Sequence, residues 1–186
     1  MSGMRKLKYH EQKLLKKTDF LNWKKEKNIR EIKVLRRYHV TDREDYVKYN
    51  KTCGQITKLV AFLKTFRSDD PFRIKMTEQL LQKLYDMGVV TTKKNLTVCE
   101  KIAVSAFSRR RLPVVLVRLK FCQRLSQAVT YVEQGHIRVG TDVVTDPSFL
   151  VTRSLEDYIT WVDGSKLKRT VMKYNDKLDD YDLLES

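Results

Sequence analysis

The sequence predicts an α+β protein in which a basic helical N-terminal region leads into two helices packed on a small, mainly antiparallel sheet. Apolar residues recur at helical spacing through much of the first 108 positions. The pattern changes to alternation at His136-Ile137-Arg138-Val139, where Ile137 and Val139 share one face and His136 and Arg138 the other. With only six glycines and three prolines, no flexible low-complexity linker separates the two regions, and no internal repeat is visible.

Residues 5–37 read as lysine-rich helical segments. Leu7, Leu14 and Leu15 keep helical spacing, Phe20, Leu21 and Trp23 follow, and Ile29, Ile32 and Leu35 form a second thin seam. One seam cannot build a core alone, so residues 1–40 are expected to be a basic arm laid on RNA or on a larger assembly.

Thr41 and Glu44 have the spacing of a capping box. The helix they open places Tyr46, Tyr49, Cys53, Ile56, Leu59/Val60 and Leu63 on one stripe, expected to be core. Ser68-Asp69-Asp70-Pro71 breaks that helix. A second is expected from Thr77 through Leu80, Leu81, Leu84 and Met87, with Gly88 as its left-handed C-cap. A short extended piece at Val89–Thr92 and a further helix over Val98–Phe107 complete a helical region spanning 41–108.

From Arg109 the chain becomes denser in information. Arg109-Arg110-Arg111 precedes Leu112-Pro113, and proline fits a first helical turn. Leu112, Val115/Leu116 and Leu119 face inward on this spacing, leaving Arg111, Arg118 and Lys120 toward solvent. A second helix carries Leu125, Ala128/Val129 and Val132 and ends at Gly135. Gly140-Thr141-Asp142 turns the following strand into a hairpin, Asp146-Pro147 makes another turn, and Tyr158–Val162 returns as a strand.

The 38 basic and 23 acidic residues give a net charge of +15, a field that attracts polyanions, of which nucleic acid is the commonest in a cell. Between Arg109 and Arg138 stand seven basic residues against Glu133 alone, and six of the seven are arginines, whose planar forks suit phosphate oxygens. Residues 151–186 reverse the balance with eight acidic against six basic, and the tail Asp176, Asp179, Asp180, Asp182, Glu185 is expected to be disordered solvation.

Other function classes find little support. No window approaches the roughly 18 consecutive apolar residues of a membrane helix, and no signal-peptide stretch opens the chain, so a soluble intracellular protein is expected. Cys53, Cys99 and Cys122 are widely spaced and form no CxxC, so reduced thiols are expected instead of a disulfide or zinc site. There is no Gly-rich phosphate loop and no Ser-His-Asp set, and neither cofactor nor small-molecule substrate is expected.

The stretch Arg111-Leu112-Pro113, Leu119, Ala128, Gly135-His136-Ile137-Arg138-Val139, Val144 and Asp146-Pro147-Ser148-Phe149-Leu150-Val151 resembles the S4 domain of the ribosomal protein S4 family. Leu80–Val89 resembles the helix preceding that domain in eukaryotic ribosomal S4. The opening Arg5–Lys16, together with Asp19–Trp23, Arg43–Tyr46 and Val151–Asp163, resembles the S4-like proteins of the U3 small nucleolar ribonucleoprotein, extending the likeness over nearly the whole chain. Three positions depart from the wider S4 pattern. Leu119-Lys120 stands where Leu-Gly is common, Val139-Gly140-Thr141 replaces Val-Asn-Gly, and Arg124-Leu125 replaces a Ser-Arg helix opening.

The resemblance implies an S4-type RNA-binding domain at residues 109–163 and a C-terminal extension at 164–186. It implies a non-enzymatic nucleolar factor of the small-subunit processome that binds U3 RNA and promotes its pairing with pre-ribosomal RNA for 18S processing. The partners it implies are U3 RNA, pre-rRNA, a large acidic scaffold phosphoprotein and a Brix-domain protein, with no membrane. The expected RNA contacts are Arg109, Arg110, Arg111, Arg118, Lys120, Arg124 and Arg138 on phosphates, with hydrogen bonds from Gln127 and His136. A ribosomal S4-type rRNA binder and an adaptor dominated by protein contacts are the alternatives.

Overall fold

A computed structural model describes residues 5–18 and 25–177, and of residues 25–28 the backbone only. Phe20, Leu21, Trp23 and the acidic positions Asp179, Asp180, Asp182 and Glu185 lie outside the described residues. The fold is α+β: a helical N-terminal region, then two helices on a three-stranded antiparallel sheet.

Helix α1 (Tyr9–Lys17) buries none of its residues; Glu11 stabilises its start by accepting from the Lys8 backbone N–H at 2.9 Å. Helix α2 (Lys25–Tyr38) leaves Ile29 and Ile32 exposed, while Tyr38 at its end is buried.

Helix α3 (Arg43–Thr65) is the scaffold of the first core. Its stripe is buried at Tyr49, Cys53, Ile56, Val60 and Leu63, while Leu59 stays exposed. The expected capping box is not formed: the helix starts one residue after the box would place it, with Asp42 as N-cap and no side-chain cap bond. Helix α4 (Pro71–Asp86) starts six residues earlier than expected. Asp70 accepts from the Phe72 N–H at 2.9 Å and Pro71 occupies the first turn, so the run that ends α3 also starts α4. Thr77 therefore sits inside the helix. Gly88 takes φ +71 beyond its end, as expected of a left-handed cap.

No strand forms at Val89–Thr92, and the expected helix over Val98–Phe107 divides into α5 (Thr97–Glu100) and α6 (Val104–Ser108). The division lets Cys99, Val104 and Phe107 all turn into the core beside α3, with the Phe107 ring stacked on Tyr49 at 6.0 Å. Burial raises the thiol pKa of Cys53, Cys99 and Cys122, and all three are free.

The second core belongs to α7 (Leu112–Arg118), α8 (Leu125–Glu133) and the sheet. Leu112, Val115 and Leu116 from α7, and Ala128 and Val132 from α8, are fully withdrawn from solvent against Ile137 and Ile159. Leu119, expected inside, is 37% exposed because α7 has already ended. Strand β1 (Ile137–Val139) lies between β2 (Asp142–Val143) and β3 (Ile159–Trp161), antiparallel to both. Arg138 is opposite Val143 and Thr160, so these three point to the outer face while Ile137 and Val139 point to the core. Helix α9 (Lys166–Tyr174) follows the sheet.

The segment between β2 and β3 ties the two cores together. It pairs Leu150 with Arg111 in an antiparallel bridge, and the Val151 N–H donates to the Arg110 carbonyl at 2.8 Å. Arg153 lies with its guanidinium carbon 4.0 Å from the Tyr85 ring centroid and donates to the carbonyls of Tyr85 and Val90 at 2.7 and 3.0 Å.

Candidate nucleic-acid interface

The three consecutive arginines that open the second half have three different partners. Arg109 is exposed and donates from Nε to the Tyr38 hydroxyl at 3.3 Å. Arg110 is only 4% exposed: it pairs with Glu156 through Nη1 and donates from Nε and Nη2 to the Val151 carbonyl at 2.8 and 2.5 Å. Arg111 is 2% exposed and donates from Nη1 to Asp45 Oδ2 at 2.8 Å. Arg110 and Arg111, expected on phosphates, are therefore internal ion-pair partners. The bridge to Leu150 and Val151 pins their backbone between the two cores, and the paired carboxylates satisfy charges that would otherwise be costly to bury.

The scarcity of acidic residues in the segment conceals this arrangement, because the carboxylates come from 46 and 66 residues away. One signal does exist in the sequence. Asp45 stands one turn before Tyr49 on the buried side of α3, and a carboxylate on such a face calls for a buried cation. Glu156 offers no comparable sign. Burial opposes its ionisation, but the hydrogen bonds and charges of Arg110 and Arg118 outweigh that and hold its carboxyl below the usual range.

Gly88 is the other residue whose role here sequence reasoning misses. A Cβ on it would lie 2.6 Å from the Arg110 guanidinium carbon, so the bare backbone makes room for the buried arginine.

The remaining candidates are at the surface but differ in how free they are. Arg118 closes α7 and is half exposed, yet Nη2 donates to Glu156 Oε2 at 2.6 Å. Arg138 lies on the outer sheet face, donating to Thr160 Oγ1 at 2.9 Å and to Asp163 Oδ2 at 2.7 Å. His136 is half buried, with Nδ1 3.0 Å from the Ser165 hydroxyl. Gln127 is exposed on α8. Lys120 and Arg124, on the turn between α7 and α8, are exposed and in no ion pair among the described residues. Lys120 takes φ +63, a left-handed conformation that glycine adopts without cost and lysine does not. A glycine, as in the Leu-Gly of the wider S4 pattern, would take this backbone without strain; here a lysine holds it.

Aromatic side chains join this turn to the sheet. The Phe121 ring lies 5.4 Å from Trp161, and Tyr131 lies 6.0 Å from Trp161 and 6.3 Å from His136. Phe121 directly follows Lys120 in that turn, and both Phe121 and Trp161 are half-buried against the second core. Exposed ammonium and guanidinium groups without carboxylate partners suit backbone phosphates.

Residues 6–103 match the family model of the ribosomal protein S4/S9 N-terminal domain, and residues 110–157 match that of the S4 domain. Over 181 residues the chain is 52% identical to the U3 small nucleolar ribonucleoprotein protein IMP3 of Mus musculus, covering 97% of this chain and 98% of that protein. The IMP3 of Saccharomyces cerevisiae is 52% identical over 180 residues, covering 96% and 98%. The small ribosomal subunit protein uS4 of Nanoarchaeum equitans is 26% identical over 145 residues, covering 78% and 81%.

Proposed function

Since the chain belongs to the IMP3 family of U3 small nucleolar ribonucleoprotein proteins, we propose that it is a non-enzymatic RNA-binding assembly factor of the small-subunit processome. It acts in the nucleolus, promoting the pairing of U3 RNA with pre-rRNA for early 18S processing. A large acidic scaffold phosphoprotein and a Brix-domain protein are its protein partners. The observation that carries this reading is the near full-length identity to U3 proteins, together with the exposed cations Lys120 and Arg124 on the S4 domain. A ribosomal S4 role is disfavoured by the much lower identity to uS4 over a shorter span.

Phosphate contacts lower the repulsion between two approaching RNA strands. A protein that binds the duplex more tightly than the separate strands favours hybridisation, and a difference of about 2.8 kcal/mol shifts it roughly 100-fold. Lys120 and Arg124 supply the charge; Arg109 and Gln127 extend the face. Arg110, Arg111 and Glu156 hold the frame that presents it.

The experiment compares wild type with Lys120/Arg124→Ala for affinity to a U3–pre-rRNA duplex and to each strand. A duplex preference that weakens in the variant, with a salt dependence shallower by roughly 2, is expected. Equal binding by both proteins would move the site off the S4 domain and favour the adaptor reading.

A further inference from the structure

Helix α9 lies outside residues 110–157, the span that matches the S4 domain, and two polar ties fix it beside the outer sheet face. The Ser165 hydroxyl caps it by accepting from the Leu167 N–H at 3.3 Å and lies 3.0 Å from His136 Nδ1. Asp163 accepts from Arg138 at 2.7 Å and from Lys168 at 2.6 Å. The start of the helix is thus held beside His136 and Arg138, two of the expected RNA contacts.

Lys166, Arg169 and Lys173 stand at i, i+3 and i+7, which places them on one face of α9 over about 10 Å. All three are exposed, and none is in an ion pair among the described residues. The nearby carboxylate of Asp163 is already shared by Arg138 and Lys168, so it does not neutralise them. Beside this stripe runs an apolar one of Leu167, Val171 and Tyr174, with Tyr174 88% exposed. The cations of α9 start beside His136 and Arg138 on the outer sheet face.

We propose that α9 is a second RNA-contacting element, in which Lys166, Arg169 and Lys173 take backbone phosphates of RNA already held by the S4 domain. This rests on the RNA-binding reading above.

The test uses the full chain and the U3–pre-rRNA duplex, reading the slope of log affinity against log salt. Lys166/Arg169/Lys173→Ala is expected to reduce that slope by roughly 2 to 3, with helix content unchanged by circular dichroism. Lys51/Lys58/Lys75→Ala removes the same charge from exposed positions of α3 and α4 and is expected to keep the wild-type slope. An unchanged slope in the α9 variant overturns the proposal, as does an equal loss in the control. Failure of the RNA-binding reading itself looks different: wild type then shows no salt-dependent affinity for the duplex.

Discussion

Arg111 Nη1 donates to Asp45 Oδ2 at 2.8 Å, and both side chains are almost entirely withdrawn from solvent, joining the first turn of α3 to the start of α7. Removing one member leaves an uncompensated buried charge. Asp45→Ala is expected to destabilise the chain by about 3–5 kcal/mol in denaturant titration. Replacing both residues, as Asp45→Leu with Arg111→Met, is expected to recover most of that loss, because well-packed apolar pairs often substitute for buried ion pairs. A double variant as unstable as the single one would show that the arginine's role is not this pairing.

Gly88 and Gly54 separate two effects of a methyl group. Gly88 has φ +71 and sits against the Arg110 guanidinium, so Gly88→Ala meets both backbone strain and a displaced arginine. A loss above about 1 kcal/mol is expected from the backbone alone. Gly54 lies inside α3, where an added Cβ would meet nothing within 4 Å, and Gly54→Ala is expected to stabilise by about 0.5–1 kcal/mol. Thermal unfolding of the two variants reads both signs.

Local patterns are legible in the sequence where one short segment decides the outcome. The stripe from Tyr49 to Leu63, the left-handed Gly88 and Gly135, and the outward Arg138 all follow from periodicity and turn chemistry. The fate of Arg110 and Arg111 does not, because the carboxylates that claim them arrive through tertiary folding. The Thr41 box fails locally: α3 begins at Arg43, with Asp42 and not Thr41 at the cap position and no side-chain cap bond.

Acid pH acts on the same frame. Burial pushes the Glu156 carboxyl upward, yet Arg110 and Arg118 together outweigh it and leave the pKa depressed. A depressed carboxylate stabilises the fold fully above its unfolded-state pKa, near the ordinary 4.5. That contribution is lost as pH falls from there through the lower folded value. Wild-type stability is expected to drop across this window, and Glu156→Gln, less stable at neutral pH, is expected to show a shallower fall. Parallel pH profiles would assign the drop to other carboxylates.

Lys120 separates folding from binding. At φ +63 a lysine holds a backbone that glycine adopts freely, at a strain of roughly 1 kcal/mol. Lys120→Gly is therefore expected to raise stability by about that amount while weakening RNA affinity and reducing the salt slope by about 1. Lys120→Ala keeps the strain and loses the ammonium, so it should bind RNA like the glycine variant without the gain in stability. The pairing of the two readouts is what identifies a functional residue kept against conformational preference. Should Lys120→Gly gain stability and bind RNA as wild type does, the strain has some other cause and the phosphate contact belongs to Arg124 or α9.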